Sequence, residues 1–315
     1  MAGVVTIFGG SGFIGKAIIC LLAREGWRIR VAVRRPGEAR ELQPLGDVGQ
    51  IAVLGVTVQD EALVGMAVEG ADAVINLAGI LYESGRQSFQ AVHVEGPGHI
   101  AKAAAAAGVG SLVHLSAIGA DSASDSAYAR SKAAGEAAVL AAFPKASILR
   151  PSIVFGPEDS FFNRFAVLTQ LSPVVPLIGG GETKFQPVYV GDVARATAVC
   201  LKEEGCQGNI YELGGPDVLS FRELMEMLLA ETRRRRWLLP VSYKLADLKA
   251  RFLELLPVPP LTRDQVKLLQ VDNVVSPDAL GLSDLGVAPT ALETVLPTYL
   301  DCYRVGGRFK TPEAA

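Results

Sequence analysis

Tyr128 and Lys132 are the residues whose types and spacing point most directly to chemistry: a phenol and an ammonium four positions apart. Positions i and i+4 of a helix lie on one face, so a helix here would bring the two groups together. A nearby positive charge lowers a tyrosine pKa from about 10 toward neutrality. The pair could then exchange a proton with a carbonyl or an alcohol. The alternative interpretation is an ordinary amphipathic helix.

A glycine-rich turn follows the apolar segment 4–8. Its residues are Gly9, Gly10, Ser11, Gly12, Phe13, Ile14 and Gly15. Gly9 would permit a tight turn, Gly12 would let a pyrophosphate approach the backbone, and Gly15 would let the next helix pack on the sheet. Free N–H groups at the start of that helix would meet the negative charge. The pattern predicts a dinucleotide site; the alternative is a glycine-rich turn without a ligand.

Arg34 and Arg35 stand at the end of the second predicted strand, about 20 residues after the glycine turn. An acidic residue there would bind the ribose 2′-hydroxyl of NAD, whereas guanidinium groups can hold a 2′-phosphate. We therefore expect NADPH or NADP in preference to NAD. The alternative is a solvated pair of surface arginines.

Short apolar segments alternate with alanine-rich helical segments through the first half of the chain. Strands are predicted at residues 4–8, 28–33, 51–54, 73–77, 111–116 and 147–149, and helices at 13–24, 61–68, 88–107 and 127–143. This alternation implies right-handed crossovers with helices on both faces of a sheet. The predicted fold class is α/β: a Rossmann-type, doubly wound parallel sheet, with an NAD(P)-binding domain over residues 1–150.

Residues 151–315 are predicted to form a smaller, mixed C-terminal lobe, because prolines interrupt the pattern after Arg150. The boundary is expected to interleave. Two helix starts are legible at 220–223 and 262–265, where Ser or Thr is followed three positions later by Glu or Gln.

Composition excludes several classes of function. The 30 basic residues do not exceed the 33 acidic ones, which argues against a protein that tracks nucleic acid. The four cysteines and three histidines show no zinc spacing, so no metal site is expected. The start of the chain has no signal-peptide pattern, and no segment is long and apolar enough to span a bilayer. We expect a protein on the cytoplasmic side, peripheral to the inner or plasma membrane.

These motifs together resemble the short-chain dehydrogenase/reductase superfamily in its extended or atypical branch, and the resemblance covers most of the chain. The glycine spacing, the segment 76–79, Tyr128 with Lys132, and the segment 150–157 all match its pattern. The resemblance implies that Tyr128 is the acid/base, that Lys132 tunes it and holds ribose, and that Ser116 assists.

The turn, the arginines and the resemblance together give a set of candidate cofactor-binding residues. They are Gly9, Gly10, Ser11, Gly12, Phe13, Ile14, Gly15, Arg34, Arg35, Thr57, Val58, Leu77, Ala78, Gly79, Ser116, Tyr128, Lys132, Pro151 and Ile153.

Some positions depart from the superfamily pattern. The catalytic hydroxyl of extended members falls at Ala117 or Ile118 here, slightly beyond Ser116. Thr57 replaces a frequent aspartate that faces adenine, and His93 replaces a frequent asparagine. A missing hydroxyl would weaken turnover without preventing cofactor binding.

A closer resemblance is to the NADPH-binding accessory subunits of respiratory complex I, above all their bacterial relatives. It rests on the segments 43–50, 143–144, 155–159, 162–163, 186–190, 192–193 and 262–264. The resemblance implies partners in the peripheral arm of complex I and a bound NADPH with a structural role.

The segment Arg233–Trp237 joins four arginines to an indole, and leucines with Phe252 recur at helical spacing over 245–256. Such a surface could meet anionic lipid headgroups. The alternatives are arginines that complement a helix dipole and leucines that belong to a core.

Two hypotheses therefore remain open. The first is an accessory subunit of NADH:ubiquinone oxidoreductase with slow or absent turnover of its own. The second is an active NADP-dependent reductase, or a protein similar to nucleotide-sugar epimerases, that uses Tyr128 and Lys132.

Overall fold

The computed structural model describes residues 3–307. The strands, in chain order, are β1 (Val4–Phe8), β2 (Arg28–Val33), β3 (Ile51–Gly55), β4 (Ala73–Asn76), β5 (Ser111–Leu115), β6 (Ser147–Pro151), β7 (Val154–Phe155), β8 (Val174–Ile178), β9 (Lys184–Phe185), β10 (Val188–Tyr189), β11 (Ile210–Leu213), β12 (Leu219–Ser220) and β13 (Trp237–Val241). The α-helices are α1 (Phe13–Arg24), α2 (Glu61–Val68), α3 (Gly96–Ala106), α4 (Ala127–Ala142), α5 (Phe162–Leu171), α6 (Val190–Lys202), α7 (Phe221–Glu231), α8 (Tyr243–Leu253), α9 (Arg263–Leu268) and α10 (Leu292–Leu300).

The six strands β1 to β6 and the later strand β11 form a seven-stranded parallel sheet, in the order β11-β6-β5-β4-β1-β2-β3. The chain moves outward from β1 through β2 to β3 and then returns to place β4 on the other side of β1. In such sheets the carboxyl ends of the strands at this reversal frame a crevice that binds ligands. The predicted doubly wound fold is confirmed.

Helices cover both faces of this sheet. Apolar side chains of β1 and β4 pack with α2, α3 and α4 in one buried cluster, which includes Phe8, Val64 and Ile100. On the other face Ile19 of α1 lies beside Ile7 and Val31, and α6 packs against α1. Because strands buried on both faces must be apolar throughout, the short apolar segments of the sequence are sufficient to identify them.

The described chain divides into two compact units. Unit 1 holds residues 3–151, Val190–Leu213 and Val275–Ala288, and unit 2 holds Ser152–Tyr189, Gly214–Val274 and residues 289–307. The later segments of unit 1 extend its sheet, because β11 pairs with β6 and the Glu212 amide donates to the Leu280 carbonyl at 2.8 Å.

Unit 2 has its own core, built from leucines and a group of phenylalanines. Phe161 contacts Phe162, Phe165 and Phe221 with ring centroids 5.0 to 6.1 Å apart. Both predicted capping boxes are present, at the starts of α7 and α9.

Asp159 belongs to one of the segments that resemble the accessory subunits, and its contacts are structural. Its carboxylate accepts from the Gly156 and Phe161 amides at 3.2 and 2.9 Å and from the Tyr299 hydroxyl at 2.6 Å. It therefore fixes the start of α5 and ties α10 to it within unit 2.

None of the helices within residues 3–307 combines the length and apolar character needed to cross a membrane.

Candidate functional site

The turn after β1 requires glycine at its first position. Gly9 has φ +76°, and its amide donates to the Ala32 carbonyl at 3.2 Å. A Cβ atom on Gly9 would lie 3.0 Å from both the Ala78 nitrogen and the Leu77 carbonyl carbon. Backbone conformation and crowding both exclude a side chain here. The turn after β1 thus lies directly against the segment after β4, at the reversal of the sheet.

Gly12 and Gly15 are glycines for different reasons. A Cβ atom on Gly15 would overlap the backbone of Gly10, at 2.6 Å from its Cα. A Cβ atom on Gly12 would meet only the Gly9 carbonyl oxygen, at 3.6 Å. The φ of −78° and ψ of 171° at Gly12 are open to any residue. Close packing within the protein therefore explains why position 15 holds a glycine. It does not explain the glycine at position 12, which faces open space.

The N-terminus of α1 lies at this open position. Gly12 is its N-cap, no side chain caps it, and its first turn holds no acidic residue. Ser11 is exposed, and Phe13 and Ile14 are half-buried. The first amides of a helix lack internal acceptors and carry a partial positive charge, so this end suits an anion such as pyrophosphate.

Arg34 and Arg35 directly follow β2, and both are exposed. Arg35 Nη1 forms a surface ion pair with Glu38 Oε1 at 3.1 Å, while Arg34 forms no ion pair within the part of the chain that the structure describes. Exposed ion pairs contribute at most about 1 kcal/mol. Both guanidinium groups are therefore available at the carboxyl end of β2.

The segment Leu77, Ala78 and Gly79 is held by a buried polar pair that the sequence reasoning did not single out. Asn76 Oδ1 accepts from the Ala78 amide at 3.1 Å, and its Nδ2 donates to His114 Nδ1 at 3.0 Å. Burial lowers the pKa of His114 well below its usual range, and the charge of Lys132 adds to this effect. A neutral imidazole is the form that can accept from the amide.

Tyr128 is the second residue of α4, which begins after Ser126 caps the Ala129 amide at 3.2 Å. Lys132 Nζ donates to the Leu115 carbonyl at 2.9 Å. Burial lowers the pKa of Lys132 to about 8, and the nearby Glu136 opposes this shift.

Burial raises the pKa of Tyr128 to about 12. The lowering of this pKa expected from the sequence is therefore not found in this structure, because burial desolvates the phenolate and so disfavours the charged form.

Ser116 lies just past β5, and its amide donates to the Leu149 carbonyl at 2.7 Å. Its hydroxyl is buried and has no hydrogen-bond partner within residues 3–307. A buried polar atom without a partner costs about 1–3 kcal/mol, which marks a place suited to a ligand atom. Ala117 and Ile118 occupy the positions where extended members carry the catalytic hydroxyl, and neither side chain has a hydroxyl group.

A buried ion cluster fastens α4 to the sheet. Arg150 on β6 binds Glu136 of α4 through two hydrogen bonds, at 2.6 and 2.9 Å, and lies 3.5 Å from Glu212 on β11. Its partner carboxylates raise the pKa of Arg150. This clamp fixes the helix that carries Tyr128 and Lys132.

The remaining candidates are spread along the chain. Thr57 and Val58 are half-buried just after β3, and the Val58 carbonyl accepts from His99 Nδ1 at 3.1 Å. Pro151 ends β6, whereas Ile153 belongs to unit 2. The structure thus brings the candidates of unit 1 to the carboxyl ends of β1 to β6.

A second feature lies in unit 2, on β13 and α8. Arg233–Arg236 follow α7 and lead into β13, where Trp237 is 80% exposed. On α8 the alanines Ala246 and Ala250 are buried, whereas Leu248 and Phe252 are 52% and 65% exposed. This helix turns its small side chains inward and its large apolar side chains outward.

Comparisons with known proteins agree with this architecture. Residues 5–214 match the model of the NAD dependent epimerase/dehydratase family. The chain is 36% identical to the protein of Arabidopsis thaliana named NADH dehydrogenase [ubiquinone] 1 alpha subcomplex subunit 9, mitochondrial, over 96% of this chain and 79% of that protein. It is 34% identical to a ceramide reductase of Caulobacter vibrioides, over 63% of this chain and 61% of that protein.

Solved structures show the same fold. The NADPH-dependent quinone oxidoreductase QOR2 of Escherichia coli, solved with NADPH, aligns with a TM-score of 0.73 at 20% identity, over 94% of this chain and 98% of that one. The chain therefore belongs to the NAD dependent epimerase/dehydratase family of extended short-chain dehydrogenase/reductase proteins, and within it is a homologue of the subunit 9 proteins of NADH:ubiquinone oxidoreductase.

Proposed function

We propose that this chain is an NADP(H)-binding accessory subunit of a NADH:ubiquinone oxidoreductase, with slow or absent turnover of its own. The observation that carries the proposal is the 36% identity with a subunit 9 protein over 96% of the chain. The aligned region extends through unit 2. Cofactor binding by unit 1 would not by itself constrain the sequence of unit 2. The partners would be subunits of the peripheral arm.

Cofactor binding is supported by the glycine turn. Gly9 and Gly15 are required by the protein itself, but Gly12 has neither a strained backbone nor a crowded neighbour. A pyrophosphate lying against the uncapped start of α1 would account for it. The nicotinamide end would then lie toward Tyr128, Lys132 and Ser116, and a bound nucleotide at 100 times its dissociation constant would stabilise the fold by about 2.7 kcal/mol.

Preference for NADP(H) over NAD(H) rests on Arg34 and Arg35. Both are exposed at the carboxyl end of β2, and Arg34 has no competing ion pair within the described residues. A 2′-phosphate placed there would meet two guanidinium groups and no acidic side chain of β2.

Contact with a membrane surface is supported by unit 2. Unit 2 exposes apolar side chains at Trp237 and on the outward face of α8, and it also exposes Arg233, Arg235 and Lys249. A helix with an apolar face and basic flanks suits the headgroup region of an anionic bilayer. The chain would thus be peripheral, held by partner subunits and by the lipid surface together.

The test is a gentle detergent extraction of the source membranes, followed by native separation and detection of this chain together with NADH:ubiquinone oxidoreductase activity. We expect the chain to migrate with the active complex, and bound nucleotide released from that band to be NADPH or NADP. A chain found only as a free, low-mass species would overturn the proposal.

The second candidate function is an active NADP-dependent reductase, and one specific observation favours it. Ser116 carries a buried hydroxyl with no partner in residues 3–307, next to the carbonyl that Lys132 binds. Because a tyrosine–lysine pair suits a carbonyl group and the chain is similar to a ceramide reductase, ketones of ceramide-like lipids are the first substrates to test. NADPH oxidation by the purified chain with such ketones, abolished in Tyr128→Phe, would establish this function.

A further inference from the structure

His93 lies between two segments of the candidate site and is 2% exposed. Its Nε2 accepts from the Ile80 amide at 3.0 Å, and its Nδ1 lies 2.8 Å from Ser131 Oγ. Ser131 Oγ in turn donates to the Tyr128 carbonyl at 2.7 Å. A continuous chain of hydrogen bonds therefore runs from the segment after β4 to the helix turn that carries the tyrosine.

The direction of each bond in this chain is determined by chemistry. A backbone amide can only donate, so Nε2 of His93 must be unprotonated. The ring proton then lies on Nδ1 and is donated to Ser131, whose own proton is directed at the Tyr128 carbonyl. Burial lowers the pKa of His93 to about 3, and the charge of Lys132 acts in the same direction, so the neutral form persists throughout the physiological range.

The ring of His93 also makes contacts that an amide side chain could not make. It stacks on Phe89 with centroids 5.2 Å apart and meets Tyr128 edge to face at 5.4 Å and 86°. His93 lies in a π-helical segment, Gln90–Glu95, and a Cβ atom on Gly135 would overlap its carbonyl oxygen. The segment and α4 therefore pack backbone to backbone, which leaves the ring little room to move.

We propose that His93 is a positioning residue of the candidate site, one that holds the segment after β4 and the tyrosine of α4 at the spacing on which tight binding of the nicotinamide end of NADP(H) depends. The inference deepens the proposed function and rests on it, because it concerns the same site. An asparagine at this position offers a donor and an acceptor, but it is shorter and cannot stack between Phe89 and Tyr128.

The first test compares three variants in NADPH titrations followed by the fluorescence of the bound nicotinamide. His93→Phe keeps the ring and loses both nitrogens, and should weaken binding about 10-fold and shift the emission toward that of free NADPH. His93→Gln should recover part of both signals. Ser131→Ala should weaken binding, and adding it to His93→Phe should cause no further loss, because the two residues act through one chain of bonds.

A matched control is Ser147→Ala, which removes another buried bond from a serine to a carbonyl, the 2.9 Å contact with Cys206, away from the candidate site. It should leave NADPH affinity unchanged. A wild-type chain that fails to bind NADPH would overturn both the proposed function and this inference. A wild type that binds, with His93→Phe binding equally well or the two losses adding independently, would overturn the inference alone.

A second measurement keeps the inference testable if His93→Phe does not fold. Nitrogen NMR of the wild-type chain should show His93 as the Nδ1–H tautomer, unchanged between pH 5 and 9, consistent with the lowered pKa of about 3. An Nε2–H tautomer, or a titration within that range, would contradict the bonding that the positioning role requires.

Discussion

The candidate site of unit 1 and helix α8 of unit 2 differ in which side chains they bury. Unit 1 buries Asn76, His114 and Lys132 beside the carboxyl ends of its strands and gives their polar atoms partners. Unit 2 leaves Leu248 and Phe252 of α8 in solvent while alanines occupy the inner face. Buried polar groups are costly unless they are bonded, and exposed apolar patches usually mark contact surfaces. The difference agrees with the proposal that unit 1 binds the nucleotide and that unit 2 presents a contact surface.

The largest effect should come from Arg150, because its loss would leave Glu136 and Glu212 buried without a cation. Arg150→Met should lower the free energy of unfolding by about 3–5 kcal/mol, measured by urea denaturation. The control in unit 2 is Arg263→Met, whose pair with Asp247 is half exposed, so its loss should leave the free energy of unfolding nearly unchanged. Equal losses of unfolding free energy in the two variants would contradict the difference in burial between the two ion pairs.

Gly12 tests whether the open face of the glycine turn binds the nucleotide. Gly12→Val should preserve stability and weaken NADPH binding about 100-fold, equivalent to about 2.7 kcal/mol, because the new side chain occupies the space of the pyrophosphate. Gly15→Ala is the matched variant and should instead lower stability by about 1–3 kcal/mol, since its Cβ overlaps Gly10. Unchanged NADPH affinity in a folded Gly12→Val protein would refute the assignment.

Lys132 predicts a pH dependence of stability in the protein without nucleotide. Its pKa is about 8 in the fold and about 10.5 when unfolded, so between these values the unfolded chain binds the additional proton. Stability should therefore rise with pH, by on the order of 2 kcal/mol between pH 8 and 10, relative to Lys132→Met. The exposed Lys244→Met serves as control and should match the wild type. A flat difference between wild type and Lys132→Met would show that Lys132 is not desolvated.

Arg34 tests the cofactor preference at the carboxyl end of β2. Arg34→Asp should weaken NADPH binding about 10-fold or more and NADH binding much less, because only the former carries the 2′-phosphate. Isothermal titration with both nucleotides makes the comparison. Equal losses for the two would remove the assignment of the 2′-phosphate to this arginine.

The smallest effect on stability is expected on the outer face of α8. Leu248→Glu with Phe252→Glu should change the free energy of unfolding by less than about 0.5 kcal/mol, since both side chains are exposed. Co-sedimentation with phosphatidylglycerol vesicles should fall several-fold, while Met66→Glu, an exposed apolar position on α2, should bind as the wild type does. If the double variant still binds vesicles as the wild type does, the outward face of α8 does not contact the membrane surface.

Much of unit 1 was predictable from its sequence. Strands that are buried on both faces appear in the sequence as short apolar segments, and β1 begins and ends at the predicted residues. The helices α1 and α2 also begin and end at their predicted residues. Gly9, Gly12 and Gly15 could be found because a turn between a strand and a helix is local. The predicted helix over 88–107 instead contains the π-helical segment Gln90–Glu95 before α3. The local signal for this change is Pro97, whose ring nitrogen cannot donate to the His93 carbonyl four residues earlier. A Cβ atom on Gly135 of α4 would overlap the same carbonyl oxygen.

The fold class and the glycine turn could be inferred from the amino-acid sequence alone, because they depend on periodicity and on short spacings. The family followed from the resemblance of the motifs to a known pattern. The environment of individual residues became visible only in the folded chain: burial raises the pKa of Tyr128 to about 12, Gly12 faces open space, and His93 links Ile80 to Ser131. The folded chain also shows that α8 turns its leucines outward. Desolvation, packing and long-range hydrogen bonds join residues far apart in the chain, so they arise only when the fold brings those residues together.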